Sequence, residues 1–163
     1  MWKTGDALIY KTTGVCIVDS VFEESFSSEP CRYYRLRPAG DEKNVILVPL
    51  SNEALTSKML PLLTENEALD IISSFSTLEH PWQDSDKRRL EDFKNTLESQ
   101  DRRRIASLIN TARKKRLDAA AKGKKIRASD EGFCERAEKL LFSELAFVLE
   151  CSISDICARV FGA

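Results

Sequence analysis

Apolar positions recur along this chain with two different periods. Residues 7–10, 15–22, 31–37 and 44–50 read ALIY, VCIVDSVF, CRYYRLR and NVILVPL. Such runs of β-branched and aromatic side chains suit a pleated, half-buried surface and predict strands. Turn residues bound each run: Gly5-Asp6, Thr13-Gly14, a polar stretch ending at Pro30, and Pro38 through Asp41. Four or five strands joined by short loops predict a small, strongly bent antiparallel sheet or open barrel. In the third run Arg32, Arg35 and Arg37 interleave with Tyr33, Tyr34 and Leu36, the pattern of a sheet with one solvated face.

After Leu50 the period becomes helical. Residues 64–75 open with Thr64 and, three positions on, Glu67, a capping box ahead of Ala68, Leu69, Ile71, Ile72 and Phe75. Residues 76–86, with Pro81 and several small polar side chains, read as a connector between the strand-rich part and the rest. Three amphipathic helices are predicted beyond it: one carries Leu90, Phe93 and Leu97, the next Ile105, Leu108, Ile109 and Ala112, the third Ala137, Leu140, Leu141, Leu145 and Val148. A last short helix starts at Ser152, a capping serine, and places Ile153, Ile156, Cys157 and Val160 on one face. The expected fold class is α+β with two domains: a small antiparallel Tudor/SH3-like β-barrel over residues 1–60 and an all-α bundle of four to five helices over residues 61–163.

Composition narrows the function classes. At 42% hydrophobic and 31% charged residues, the 163-residue chain has the balance of a soluble globular protein rich in surface helix. No apolar run approaches the roughly 18 to 20 residues that cross a bilayer, and the opening MWKTGD lacks the apolar stretch of a signal peptide, so a cytoplasmic location is expected. Cys16, Cys31, Cys134, Cys151 and Cys157 form no C-x-x-C pair, and His80, the single histidine, cannot complete a usual zinc site with them. Reduced thiols are expected, with no metal and no cofactor. One histidine allows one imidazole base, and no G-x-S-x-G elbow, H-E-x-x-H or dinucleotide glycine fingerprint occurs. The sequence therefore predicts no enzyme.

Charge changes the picture more. The formal net charge is −1, but basic against acidic residues number 7 to 12 over residues 1–79, 15 to 7 over 80–127 and 3 to 7 over 128–163. The segments carry −5, +8 and −4. On helices whose apolar faces pack inward, the cations of the middle segment should project outward as a phosphate-binding surface. The candidates are Lys87, Arg88, Arg89, Arg102, Arg103, Arg104, Arg113, Lys114, Lys115, Arg116, Lys122, Lys124 and Lys125. The bland alternative is a solvated helix face balanced by Glu91, Asp92, Glu98 and Asp101. Trp82, in the Pro-bounded connector before the basic helices, either glues that connector to a helix or stacks on nucleic acid while the cations hold phosphates.

The opening WKTGDALIYKTTGVCIVDSV of residues 2–21 resembles that of the CarD family, in which Gly-Asp precedes an apolar strand ending in Tyr and a Gly-Val turn leads into the second strand. YYRL at 33–36 and ILVP at 46–49 resemble the third and fourth strands of the same module. That module is the RNA-polymerase-interacting domain that CarD-like regulators share with transcription-repair coupling factors. In the second half Arg88-Arg89, Leu97 with Asp101, the helix over 105–117, residues 129–131 and AEKLLFSELA at 137–146 look like the family's helical DNA-binding domain. Lys11 replaces a usual proline, Thr13 a usual histidine, and Leu47 a basic residue often found before Val-Pro. Trp82 lies four residues upstream of the family's minor-groove tryptophan.

The resemblance implies a transcription regulator with two partners. The polymerase β subunit would be met through Glu24, Tyr34, Arg35, Leu47 and Pro49, and promoter DNA through the cations above, with Trp82 in the minor groove, stabilising the open promoter complex. No membrane and no small-molecule substrate are implied. The alternatives are a protein-protein adaptor without DNA binding and an RNA-binding protein that uses the same basic face.

Overall fold

The structure is a computed structural model and describes residues 1–162. Two compact units divide the chain, Met1–Leu62 and a second that begins at Leu63. The first holds β1 (Ala7–Tyr10), β2 (Gly14–Glu24), β3 (Cys31–Pro38), β4 (Ile46–Pro49), the single turn of α1 (Glu53–Thr56) and β5 (Met59–Pro61). The strands form one antiparallel sheet in the order β4-β3-β2-β1-β5. Glycine closes the first hairpin: Gly14, opposite Tyr10, has φ 91° and ψ −144°, a conformation that a Cβ would strain.

Register explains which side chains reach the core. In β2 the pairing shifts between Val18 and Ser20, so Asp19 is a bulge that keeps Val18 and Val21 on one face. That face buries Leu8, Tyr10, Cys16, Val18, Tyr34, Leu36, Val48 and Met59. The bulged Asp19 turns outward and meets Arg35 Nε at 3.4 Å and Arg37 Nη1 at 3.7 Å. β5 has no counterpart in the sequence pattern, since three residues ending at Pro61 carry too little alternation. Pairing with β1, Ile9 opposite Leu60, is what makes them a strand.

The helical unit contains α2 (Glu65–Ser74), α3 (Asp86–Glu98), α4 (Arg102–Ala121), α5 (Ala128–Leu149) and α6 (Ile153–Phe161). Side chains cap the starts locally: Thr64 and Glu67 close a capping box on α2, Ser152 and Asp155 another on α6, and Ser85 and Asp101 accept from the first turns of α3 and α4. The core joins Ile71 and Phe75 to Ile105 and Ile109 of α4, Leu141, Phe142 and Leu145 of α5, and Ile156 of α6. Phe161 meets Phe75 at 5.8 Å and Phe142 at 5.7 Å between centroids, which fastens α6 down.

Residues 76–86 lie inside the helical unit, which begins at Leu63. Polar anchors hold this irregular stretch: Asn110 Nδ2 donates to the Leu78 carbonyl at 2.8 Å, the His80 backbone N–H to Thr111 Oγ1 at 2.9 Å, and His80 Nε2 lies 2.6 Å from Asp92 Oδ2. Small polar residues and proline mark a loop here, and its backbone groups find partners on α4. Among the described residues no helix is long and apolar enough to cross a membrane.

Glu144 is the main polar contact of this core. It is 2% exposed, takes the Nε and Nη2 donors of Arg102 at 3.0 and 3.2 Å, and accepts the Leu63 N–H at 3.0 Å. Removing one member of a buried pair strands the other, so Glu144→Ala should cost about 3–5 kcal/mol in urea unfolding. Arg103→Ala, which breaks the exposed pair with Asp70, should cost less than about 1 kcal/mol. All five cysteines are free, and burial pushes the Cys16 and Cys134 thiols up to about 11. Few thiolates form there near neutral pH. Iodoacetamide should therefore leave Cys16 and Cys134 unmodified in the folded protein and alkylate them in urea, as read by mass spectrometry.

Candidate functional site

The basic segment of the helical unit sorts into cations already occupied and cations that are not. Arg89 is buried at 5% exposure and Arg102 is largely buried, so neither projects outward as expected. Buried carboxylates draw them in: Arg89 forks onto Asp130 at 3.0 and 2.9 Å, and Arg102 onto Glu144. The hydrogen bond to Asp130 holds the Arg89 guanidinium above its already high ordinary pKa, so it stays charged. The run Arg102-Arg103-Arg104 has no acid within it in sequence, yet each member has one in space. Arg103 meets Asp70 at 2.8 Å and Arg104 meets Asp92 at 3.5 Å. Arg116 lies 3.1 Å from Glu131 and 3.8 Å from Glu138, Lys114 lies 3.8 Å from Glu79, and Arg113 sits 4.0 Å over the Phe161 ring.

Apart from Lys94 further along α3, what remains is a rim at one end of the unit. Lys87 and Arg88 in the first turn of α3, Lys115 on α4, and Lys122, Lys124 and Lys125 after it are exposed and have no carboxylate partner among the described residues. The rim converges because Arg127, just before α5, pairs with Asp86 of α3 at 2.8 Å, which draws the loop between α4 and α5 towards the start of α3. Trp82 lies in the same neighbourhood. Its half-buried indole meets Phe93 edge-on at 5.3 Å, with Arg89 5.3 Å and Lys115 5.8 Å from the ring centroid. The packing role weighed for this residue is therefore real, and cations that sequence alone could not join to it surround it.

On the sheet unit the five candidates do not share a surface. Tyr34 points into the core at 5% exposure, opposite Val48; its aromatic ring follows the inward parity of β3, so it offers no side chain to a partner. Arg35 and Leu47 face each other on the outer side, with Leu47 40% exposed. Pro49 pairs with Tyr33, and Glu24 ends β2 in solvent opposite Cys31. The outer face also carries aromatic residues that sequence reasoning did not single out. Tyr33 stacks on Phe22 at 5.8 Å and meets Phe26, 65% exposed, at 5.3 Å. The alternation of β3 was the available signal, since placing Leu36 inside puts Tyr33 outside.

Residues 2–60 match the family model of the CarD-like/TRCF RID domain. The sheet unit is a CarD-like/TRCF RID domain. The match ends where β5 begins to close the unit, and the helical unit lies beyond it. No curated protein matches the chain. An RID domain implies RNA polymerase as partner and a role in transcription. Its edge strand β4 pairs on one side only, with β3, which leaves a row of backbone donors and acceptors for an added strand. Within the RID domain Tyr34→Ala should cost about 3–5 kcal/mol, as for other buried aromatics. Leu47→Asp, on the outer face, should stay within about 0.5 kcal/mol in the same urea titration.

Proposed function

We propose that this protein is a bacterial transcription regulator that performs no chemistry of its own. It binds the β subunit of RNA polymerase through the RID domain and promoter DNA through the cationic rim of the helical unit, and it stabilises the open promoter complex. It acts in the cytoplasm, at the nucleoid, and needs no cofactor. The observation that carries the reading is the match of residues 2–60 to the RID domain on a chain that also holds an unneutralised rim around Trp82. In this reading the sheet curls in the manner of a Tudor or SH3 barrel and presents β4 to a polymerase strand. Main-chain hydrogen bonds supply affinity there, while Leu47, Pro49 and Arg35 select the partner. With Leu47 in place of a basic side chain, the contact gains an apolar component.

The rim residues Lys87, Arg88, Lys115, Lys122, Lys124 and Lys125 neutralise phosphates, and Trp82 meets the minor groove of the distorted duplex. A preference of about 1.4 kcal/mol for open over closed DNA shifts the opening equilibrium tenfold without any bond being made or broken. A second reading, an adaptor without DNA binding, draws support from the carboxylates that already occupy Arg89, Arg102, Arg103, Arg104 and Arg116.

Capture of RNA polymerase, followed by competition with duplex DNA and with structured RNA, separates the readings. Leu47→Asp should weaken capture. Affinity for promoter DNA should fall with salt at a log-log slope of about −5, as for roughly six phosphate contacts. Capture without salt-sensitive DNA binding would leave the adaptor, and preferential competition by RNA would redirect the rim to that ligand.

A further inference from the structure

Arg89 belongs by charge to the DNA-facing set, but its surroundings give it other work. Four hydrogen bonds hold the guanidinium: Nε and Nη2 donate to Asp130 at 3.0 and 2.9 Å, Nη2 also to Asp86 Oδ1 at 2.6 Å, and Nη1 to the Gln83 carbonyl at 3.0 Å. An arginine has five N–H donors in a rigid planar fork, so little is left for a phosphate. The acceptors come from three places in the chain: the first turn of α5, the first turn of α3, and the residue that follows Trp82. The plane so fixed lies 5.3 Å from the centre of the Trp82 ring, while Phe93 meets the indole edge-on. Of the two cations over the ring, Arg89 is buried and clasped, whereas Lys115 is exposed and has no carboxylate partner among the described residues.

We propose that Arg89, clasped by Asp130 and Asp86, is a positioning residue for Trp82: it ties the loop at Gln83 to α3 and sets the indole's orientation, while Lys115 is the cation near the ring that exchanges onto nucleic-acid phosphate. This deepens the DNA reading above and rests on it. It also divides the basic segment by role, because a positioning arginine changes how well the indole engages DNA without adding to the count of neutralised phosphates.

The test uses the full chain with Trp2→Phe, which leaves Trp82 as the single tryptophan. Arg89→Lys keeps the charge and loses the fork. Asp86→Asn removes one arm of the clasp from its solvent side and serves where Arg89→Lys loses its far-ultraviolet circular dichroism. In the free protein either variant should shift Trp82 emission to the red and raise its quenching by acrylamide. For Arg89→Lys, promoter-DNA affinity should fall about tenfold, the scale of one weakened stacking contact, with an unchanged salt slope; Asp86→Asn also releases Arg127 and is read by emission and quenching alone. In a Trp82→Ala background Arg89→Lys should add no further loss. Unchanged emission and quenching in both variants would overturn the proposal. So would the same affinity loss for Arg89→Lys in the Trp82→Ala background, the signature of a DNA contact that does not pass through the indole. If the parent chain shows no salt-sensitive DNA binding, the DNA reading fails, and the fluorescence comparison still reports whether Arg89 orients Trp82.

Discussion

A carboxylate taken out of water must be matched by a cation in good geometry, and the helical unit is arranged around two such groups on one helix. Asp130 in the first turn of α5 and Glu144 near its other end are each almost wholly buried, and each receives an arginine fork. Desolvation of this kind is tolerated only when the remaining donors and acceptors are also filled. The structure meets that demand: Asp86 and the Gln83 carbonyl complete Arg89, and the Leu63 N–H completes Glu144. Two helices, α3 and α4, and two irregular segments are thereby fixed against α5 by groups that apolar contacts alone would not orient.

That constraint decides what the basic segment can do. Arginines that serve buried carboxylates cannot also face a polyanion, and surface acids partly neutralise Arg103, Arg104, Lys114 and Arg116. The cationic field is left to lysines and Arg88 around the start of α3 and the end of α4, beside Trp82. A +8 segment is thus a smaller and more localised electrostatic surface than its formal charge suggests. The RID domain divides its residues in a comparable way: parity along β3 commits Tyr34 to the core and leaves Tyr33, Arg35 and, across the ladder, Leu47 on the outer side.

Features set by near neighbours in the chain were legible in the sequence. The two periods, the capping boxes at Thr64 and Ser152, the glycine before Val15 and the apolar stripes of α3, α4 and α5 all depend on residues within a turn or two of one another. The RID domain was legible because its strand and turn motifs keep their order over residues 2–60. β5 was missed, since only its pairing with β1 makes it a strand. The anchoring of residues 76–86 was not legible, because composition registers irregularity and not the partners of a loop's backbone.

By itself the sequence determined the two-part organisation, most element positions and the inward faces, because hydrophobic periodicity and capping are local. Which cations stay free was decided by tertiary structure alone. Arg89 meets Asp130 across 41 positions, Arg102 meets Glu144 across 42 and Arg103 meets Asp70 across 33. No local pattern encodes an ion's partner at such separations; packing the helices brings the pair together, and the cost of leaving a buried charge unmatched keeps it there.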